Sequence, residues 1–177
     1  MAIPIKTGFM IRVFALILVI CSGCVTVPDG LYPVKDFDLK RYLGTWYEIA
    51  RLDHSFERGL TRVKAEYTMR EDGGINVKNT GYDPEKKVWK EATGKGYFTD
   101  GPGIGQLKVS FFGPFYGAYN ILLLDKEYSY ALVCGPSRNY LWILARRPMM
   151  DEAVKASLVD KASQMGFDTN RLIFVKQ

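Results

Sequence analysis

The sequence predicts an all-β protein: an eight-stranded up-and-down antiparallel barrel followed by one C-terminal α-helix and a short final strand. Three observations predict it. Eight stretches of strand character follow one another, and only the connection over residues 51–60 is long. Seventeen Gly, eight Pro and eleven Tyr in 177 residues favour strands and turns over a helix bundle. Only after the eighth strand does the apolar period change to that of a helix. A sandwich would need several long cross-connections, whereas closing the meander on itself removes the exposed edges. A barrel of eight strands has an interior large enough for one small ligand.

The elements follow in order. Lys6 and Arg12 precede the apolar run at residues 13–20, and Cys21-Ser22-Gly23-Cys24 comes next. That run is far shorter than the roughly 20 residues of a spanning helix and has the form of a secretory signal. Residues 25–35 hold two Pro and one Gly without periodicity, as a linker does. The predicted divisions are therefore 1–23 as signal, 24–36 as Cys24 and linker, and 37–177 as the barrel domain. An Asp N-cap permits one short helical turn before residue 43. The first strand, 45–50, opens on Gly44-Thr45-Trp46-Tyr47, where Gly44 lets the backbone turn closely and Trp46 can plug one end.

The second strand, 62–70, alternates Val63, Ala65, Tyr67 and Met69 against Arg62, Lys64, Glu66 and Thr68. Glu71-Asp72-Gly73-Gly74 is a tight hairpin, and the third strand, 75–81, alternates Ile75, Val77 and Asn79 with polar residues. The fourth strand is 88–98, its Gly94 and Gly96 marking a bend or a close backbone approach. A Gly-rich loop leads to the fifth, 106–112, with Leu107, Val109 and Phe111 on one side. Strands six to eight fall at 119–124, 128–134 and 139–145. Over 151–165, Val154, Leu158, Ala162 and Met165 share a helical face, with Gly166 as the C′ glycine. Residues 172–175 form the final strand.

Charge and cysteine content exclude several functions. Net charge is +5, and the first 23 residues carry two of those charges, leaving a remainder of +3 without the basic stripe of a nucleic-acid binder. Without residues 1–23 only Cys24 and Cys134 remain, so a modified Cys24 leaves no internal disulfide. No phosphate loop, zinc spacing or Cys pair is present, and neither a metal nor a cofactor is expected. His54 is the single His; its neighbours Asp53 and Ser55 point away from it along the loop and form no triad. Cys134 belongs to an apolar strand as inert core.

In a meander, successive turns alternate between the two ends. Parity gathers Trp46, the junction containing Asp125 and Tyr128, and Arg146 at one end, where the Arg146 guanidinium can lie on the Trp46 face. The loops 51–60, 81–87, 112–117 and 135–138 share the other end. Phe56, Tyr82, Phe112, Phe115, Tyr116 and Tyr140 ring that mouth, and Arg51, Arg58 and Arg138 are placed to meet an anionic head. Alternation turns Tyr67, Met69, Val77, Asn79, Leu107, Val109 and Phe111 inward, and parity with Arg146 adds Trp142 and Leu144. Glu48, inward with Trp46, is expected to make a structural hydrogen bond to the closed end.

On these residues the chain resembles the lipocalins, and within them the bacterial outer-membrane lipocalins and their apolipoprotein D-like relatives. Gly44-Thr45-Trp46-Tyr47 matches the first family motif and Arg146 the third, while Asp125 and Tyr128 are what survives of the second. The resemblance covers residue 37 to the C-terminus. It implies ligand contacts at Tyr42, Tyr67, Asn79 and Trp142. Cys24 after Ser22-Gly23 resembles a lipobox, although Cys21 replaces the usual aliphatic residue. That implies lipidation of Cys24, and Val25 implies sorting to the outer membrane, facing the periplasm. The expected function is binding, storage or transport of a fatty acid or lysophospholipid in the cell envelope, without catalysis. The competing expectations are a lipocalin-like enzyme using Glu48 on a hydrophobic substrate, and a structural envelope lipoprotein that binds nothing. Aromatics at the mouth also suit a homodimer contact.

Overall fold

Alternation along the strands divides the apolar side chains into two sets, and the fold gives each set its own core. The computed structural model describes residues 25–177; the signal segment and Cys24 lie outside the described residues. The chain begins with β1 (Lys35–Phe37), the single turn α1 (Leu39–Tyr42) and β2 (Gly44–Arg51). Hairpins then link β3 (Thr61–Met69), β4 (Ile75–Asp83) and β5 (Val88–Phe98). After the small strand β6 (Gly103–Ile104) come β7 (Gln106–Phe112), β8 (Phe115–Leu124), β9 (Tyr130–Cys134) and β10 (Leu141–Ala145). Helix α2 (Glu152–Gln164) and β11 (Ile173–Phe174) complete the chain.

The long strands form one antiparallel sheet in the order β10-β9-β8-β7-β5-β4-β3-β2, and pairing of β10 with β2 closes it into the eight-stranded barrel. β1 and β6 pair separately, and Phe37 of β1 packs into the inner core. Trp46, Tyr67, Val77, Leu107, Ile121 and Leu144 belong to the inner core. Ile49, Ala50, Leu132, Leu141 and Ile143 face outward and are covered by Leu158 and Ala162 of α2. The helix begins on Asp151, whose side chain accepts from the Ala153 and Val154 amides, and ends before Gly166 at φ 82°.

Several boundaries differ from the sequence expectation. β8 starts at Phe115 because Gly113 and Pro114 alone make the turn. β9 starts at Tyr130 because Asp125 accepts from the amides of Glu127, Ser129 and Tyr130 and holds that stretch as a turn. The segment expected as a linker lies against the barrel: Leu31 is buried, Val27 packs on the outer core, and the Val34 amide donates to Ile121 O. On the other side of β2, β3 pairs only with Gly44–Tyr47. Where the two strands part, β11 takes up the free edge of Ala50 and Arg51, Val175 N donates to Ile49 O, and Arg62 N donates to Lys176 O. The Gln177 amide bridges the carbonyls of Glu48 and Val63 across this seam.

Candidate functional site

The closed end is built around Trp46, which is wholly buried. Arg146 lies over the indole with Cζ 4.1 Å from its centroid, a cation–π contact worth about 0.5–2 kcal/mol. The same guanidinium donates to the carbonyls of Thr45, Arg41 and Tyr128 and so ties three elements together. Gly44 has φ 90°, a conformation that calls for glycine, and a Cβ there would just touch the guanidinium at 3.4 Å. Tyr128 accepts from Asp38 N, and Arg41 covers its ring at 4.1 Å.

Above Trp46 lies a phenolic floor. Tyr42 of α1 packs on the indole with centroids 4.6 Å apart, and its hydroxyl is 2.8 Å from that of Tyr119, which is 2.9 Å from that of Tyr67. Burial pushes all three phenols well above their ordinary range, so they remain protonated. Two hydrogen bonds among three hydroxyls use two of the three protons. One O–H is therefore left to meet an acceptor above it.

Exposure along the inward faces rises from this floor toward the opposite end. On β7, Leu107 is buried, Val109 and Phe111 are half-buried, and Phe112 at the strand end is exposed. On β10, Leu144 is buried and Trp142, nearer the mouth, is half-buried. β5 presents Gly94 and Gly96 to the interior. A Cβ on Gly94 would lie 2.5 Å from Ser110 O and 2.9 Å from the Phe111 ring. The structure thus brings Tyr42, Tyr67, Val77, Leu107, Val109, Phe111, Trp142 and Leu144 into one cluster, with half-buried Asn79 opposite Ala65. Met69 is not brought to that cluster: it lies beyond the start of β2, since Gly44 already pairs with Tyr67, and is 43% exposed at the closed-end hairpin.

On the mouth side the sequence missed a buried polar network. Arg51 is 1% exposed and cannot greet a ligand head at the rim. It donates to Glu48 Oε1 at 2.6 Å and to Glu57 O at 2.7 Å. Glu57 Oε2 accepts from Trp142 Nε1 at 3.1 Å and lies 3.0 Å from His54 Nε2, although the imidazole is not aligned for a hydrogen bond. His54 stacks on Phe56 at 3.9 Å. Burial, then the charge of Glu57, raises the Glu48 carboxyl well above its usual value against the pull of Arg51. Burial would also raise Glu57, but the His54 imidazole close beside it and the Trp142 N–H hold it low. Glu48 is thus held high and Glu57 low, while Arg51 bonds the Glu48 carboxyl directly and the Glu57 backbone carbonyl. The expected bond of Glu48 to the closed end is replaced by this network. Arg138, expected at the mouth, is spent on Met165 O and Asp29 O, and Arg58 pairs with Asp53. Burial raises the Cys134 thiol to about 11, as suits a core residue.

A closed barrel with a plugged floor and an apolar interior graded toward one mouth defines a small-ligand-binding β-barrel. A lipocalin-like domain model matches residues 37–177, and the chain belongs to that family. Outer membrane lipoprotein Blc of Citrobacter freundii is 55% identical over 165 residues, covering 93% of each chain. Apolipoprotein D of Mus musculus is 32% identical over 154 residues, covering 82% of this chain and 80% of its own. Among solved structures, insecticyanin from the tobacco hornworm Manduca sexta superposes with a TM-score of 0.69 at 20% identity, covering 85% of this chain and 86% of its own.

Proposed function

We propose that the protein is an outer-membrane-anchored carrier that binds, stores or transports a fatty acid or lysophospholipid in the cell envelope, one ligand per barrel. The observation that carries this is the graded interior, sealed by Trp46 and Tyr42 and more exposed toward Phe111 and Trp142. Such a space suits an acyl chain whose polar head stays toward the mouth. The anchor is the lipid that the lipobox at Cys24 would receive, and the name of the Citrobacter relative supports an outer-membrane location. Glu48 we read as a positioning residue and not as an acid–base catalyst, because it is 3% exposed and bonded to Arg51.

Native mass spectrometry of gently extracted protein tests the reading. A bound lipid of one acyl chain, displaced by added fatty acid or lysophospholipid, is the expected result. A consistently empty barrel that takes up neither would replace the carrier with a structural envelope protein.

A further inference from the structure

The open end differs from the closed end in what it shows to solvent. Five of the large apolar side chains that stand exposed belong to its connections: Phe56 (59%), Val88 (46%), Trp89 (57%), Phe112 (81%) and Phe115 (78%). Phe56 lies in the β2–β3 loop, Val88 and Trp89 open β5, and Phe112 and Phe115 flank the β7–β8 turn, three connections that alternation places at one end. Lys86 and Lys87 stand beside them in the β4–β5 turn, where every residue is exposed. Exposed aromatics with lysines between them are the composition of a membrane–water interface, where rings sit at headgroup depth and ammonium groups meet anionic lipid.

The course of the N-terminal segment supplies the second, independent observation. Thr26 O accepts from Asn120 Nδ2, which also donates to Gly135 O, and Asp29 O accepts from Arg138 Nη2 at 2.8 Å. Gly135 and Arg138 lie in the β9–β10 turn, at the open end. From there the segment descends the wall to Val34, bonded to Ile121 and Gly105, and to β1. The described chain therefore starts beside the mouth and not beside the floor. Cys24 is two residues from Thr26, too short a lead to carry an anchor around to the other end.

We propose that the mouth of the barrel docks on the bilayer surface, with Phe56, Trp89, Phe112 and Phe115 at the interface and Lys86 and Lys87 against anionic headgroups. The ligand then passes between membrane and cavity along the rim without crossing bulk water. This goes beyond the carrier reading and takes from it only the anchor at Cys24. Trp89 makes the arrangement measurable, because it is 57% exposed at the rim, whereas Trp46 is buried at the far end and Trp142 is half-buried inside and bonded to Glu57.

The experiment reconstitutes the full chain on phosphatidylethanolamine–phosphatidylglycerol vesicles with brominated acyl chains and follows tryptophan fluorescence, with Trp89→Phe to isolate the rim signal. The expected result is a quenched component that Trp89→Phe lacks. Phe112→Ser with Phe115→Ser should reduce it about tenfold in the Cys24→Ser background. Lys86→Glu with Lys87→Glu should reduce it on anionic but not on zwitterionic vesicles. A chain that sediments with vesicles while Trp89 stays unquenched, or one that does not sediment at all, overturns the proposal. So does a dimer that buries Phe112 and Phe115 and stays off the vesicles. If Cys24→Ser matches the wild type in sedimentation and in Trp89 quenching, docking stands and the anchor falls.

Discussion

Glu48 of β2 and Glu57 of the loop after it lie close together, yet their carboxyls are shifted in opposite directions: burial and the charge of Glu57 raise Glu48 against Arg51, while His54 and the Trp142 N–H lower Glu57 against burial. Glu57, held low, contributes stability that is full above the ordinary carboxylate range and is lost as pH falls through its depressed value. Glu48, held high, contributes stability that is full below that range and is lost as pH rises through its raised value. Glu48→Gln keeps a hydrogen-bonding group for Arg51 but has no proton to lose. Thermal melts between about pH 5 and pH 9 should therefore show a flatter alkaline side for this variant than for the wild type, with the acid side unchanged. Parallel curves would refute the assignment of the proton to Glu48. Parity in the sequence was enough to put Trp46 beside Arg146, because Trp46 lies in a regular strand and Arg146 directly follows one. It could not find this network. The register between β10 and β2 slips between Ile143 and Leu144, so Ile49 is an extra residue in β2 and Arg51 turns inward after it. His54 and Glu57 then arrive from a loop that has no period to read.

Among the elements, β5 shows how much of the cavity is made by what is left out. Gly94 and Gly96 were legible as a close approach but not as the bare wall that admits Phe111 and Ile75 to the interior. Gly94→Ala puts a methyl 2.5 Å from a backbone carbonyl, which cannot swing away as a side chain can. We expect it to destabilise the barrel by about 1–3 kcal/mol as overpacking, read as a lowered denaturant midpoint. An unchanged midpoint would mean that β5 and β7 can separate there at little cost. The N-terminal stretch shows the opposite failure of sequence. Its Pro and Gly content reads as a tether, but Leu31 and Val27 have the outer core within reach, and burying them outweighs the want of periodicity. The helix α2 was plain because four apolar residues at its spacing are enough to define a face.

For the molecule as a whole, eight strands in a meander, one closed end and one mouth could be argued from the order of turns alone. The content of the cavity could not, since a ligand is chosen by the depth and polarity of a space that only assembled strands create. In that space each methylene withdrawn from water contributes about 0.8 kcal/mol, and an eight-methylene tail roughly 6 kcal/mol before ordering costs. Affinity should accordingly climb with acyl length, by about an order of magnitude for each two carbons, until the tail reaches the Tyr42–Tyr119–Tyr67 floor. Titration calorimetry over acids from about ten to about sixteen carbons gives the slope, and an affinity independent of length would count against tail-first binding.

The seam between β2 and β3 has a consequence for the order in which the protein can come into being. β2 comes early in the chain, but one of its edges waits for β10 and the Ile49–Arg51 stretch of the other, beyond β3, for residues 173–175. Even with β10 made, the stretch of β2 beyond β3 lacks a partner on that edge until residues 173–177 follow. Hairpins can form early, since their partners are neighbours, but the finished wall depends on contacts more than a hundred residues apart, which form slowly. Gln177, beyond β11, stitches Glu48 to Val63, so the wall of the barrel is completed beside its mouth.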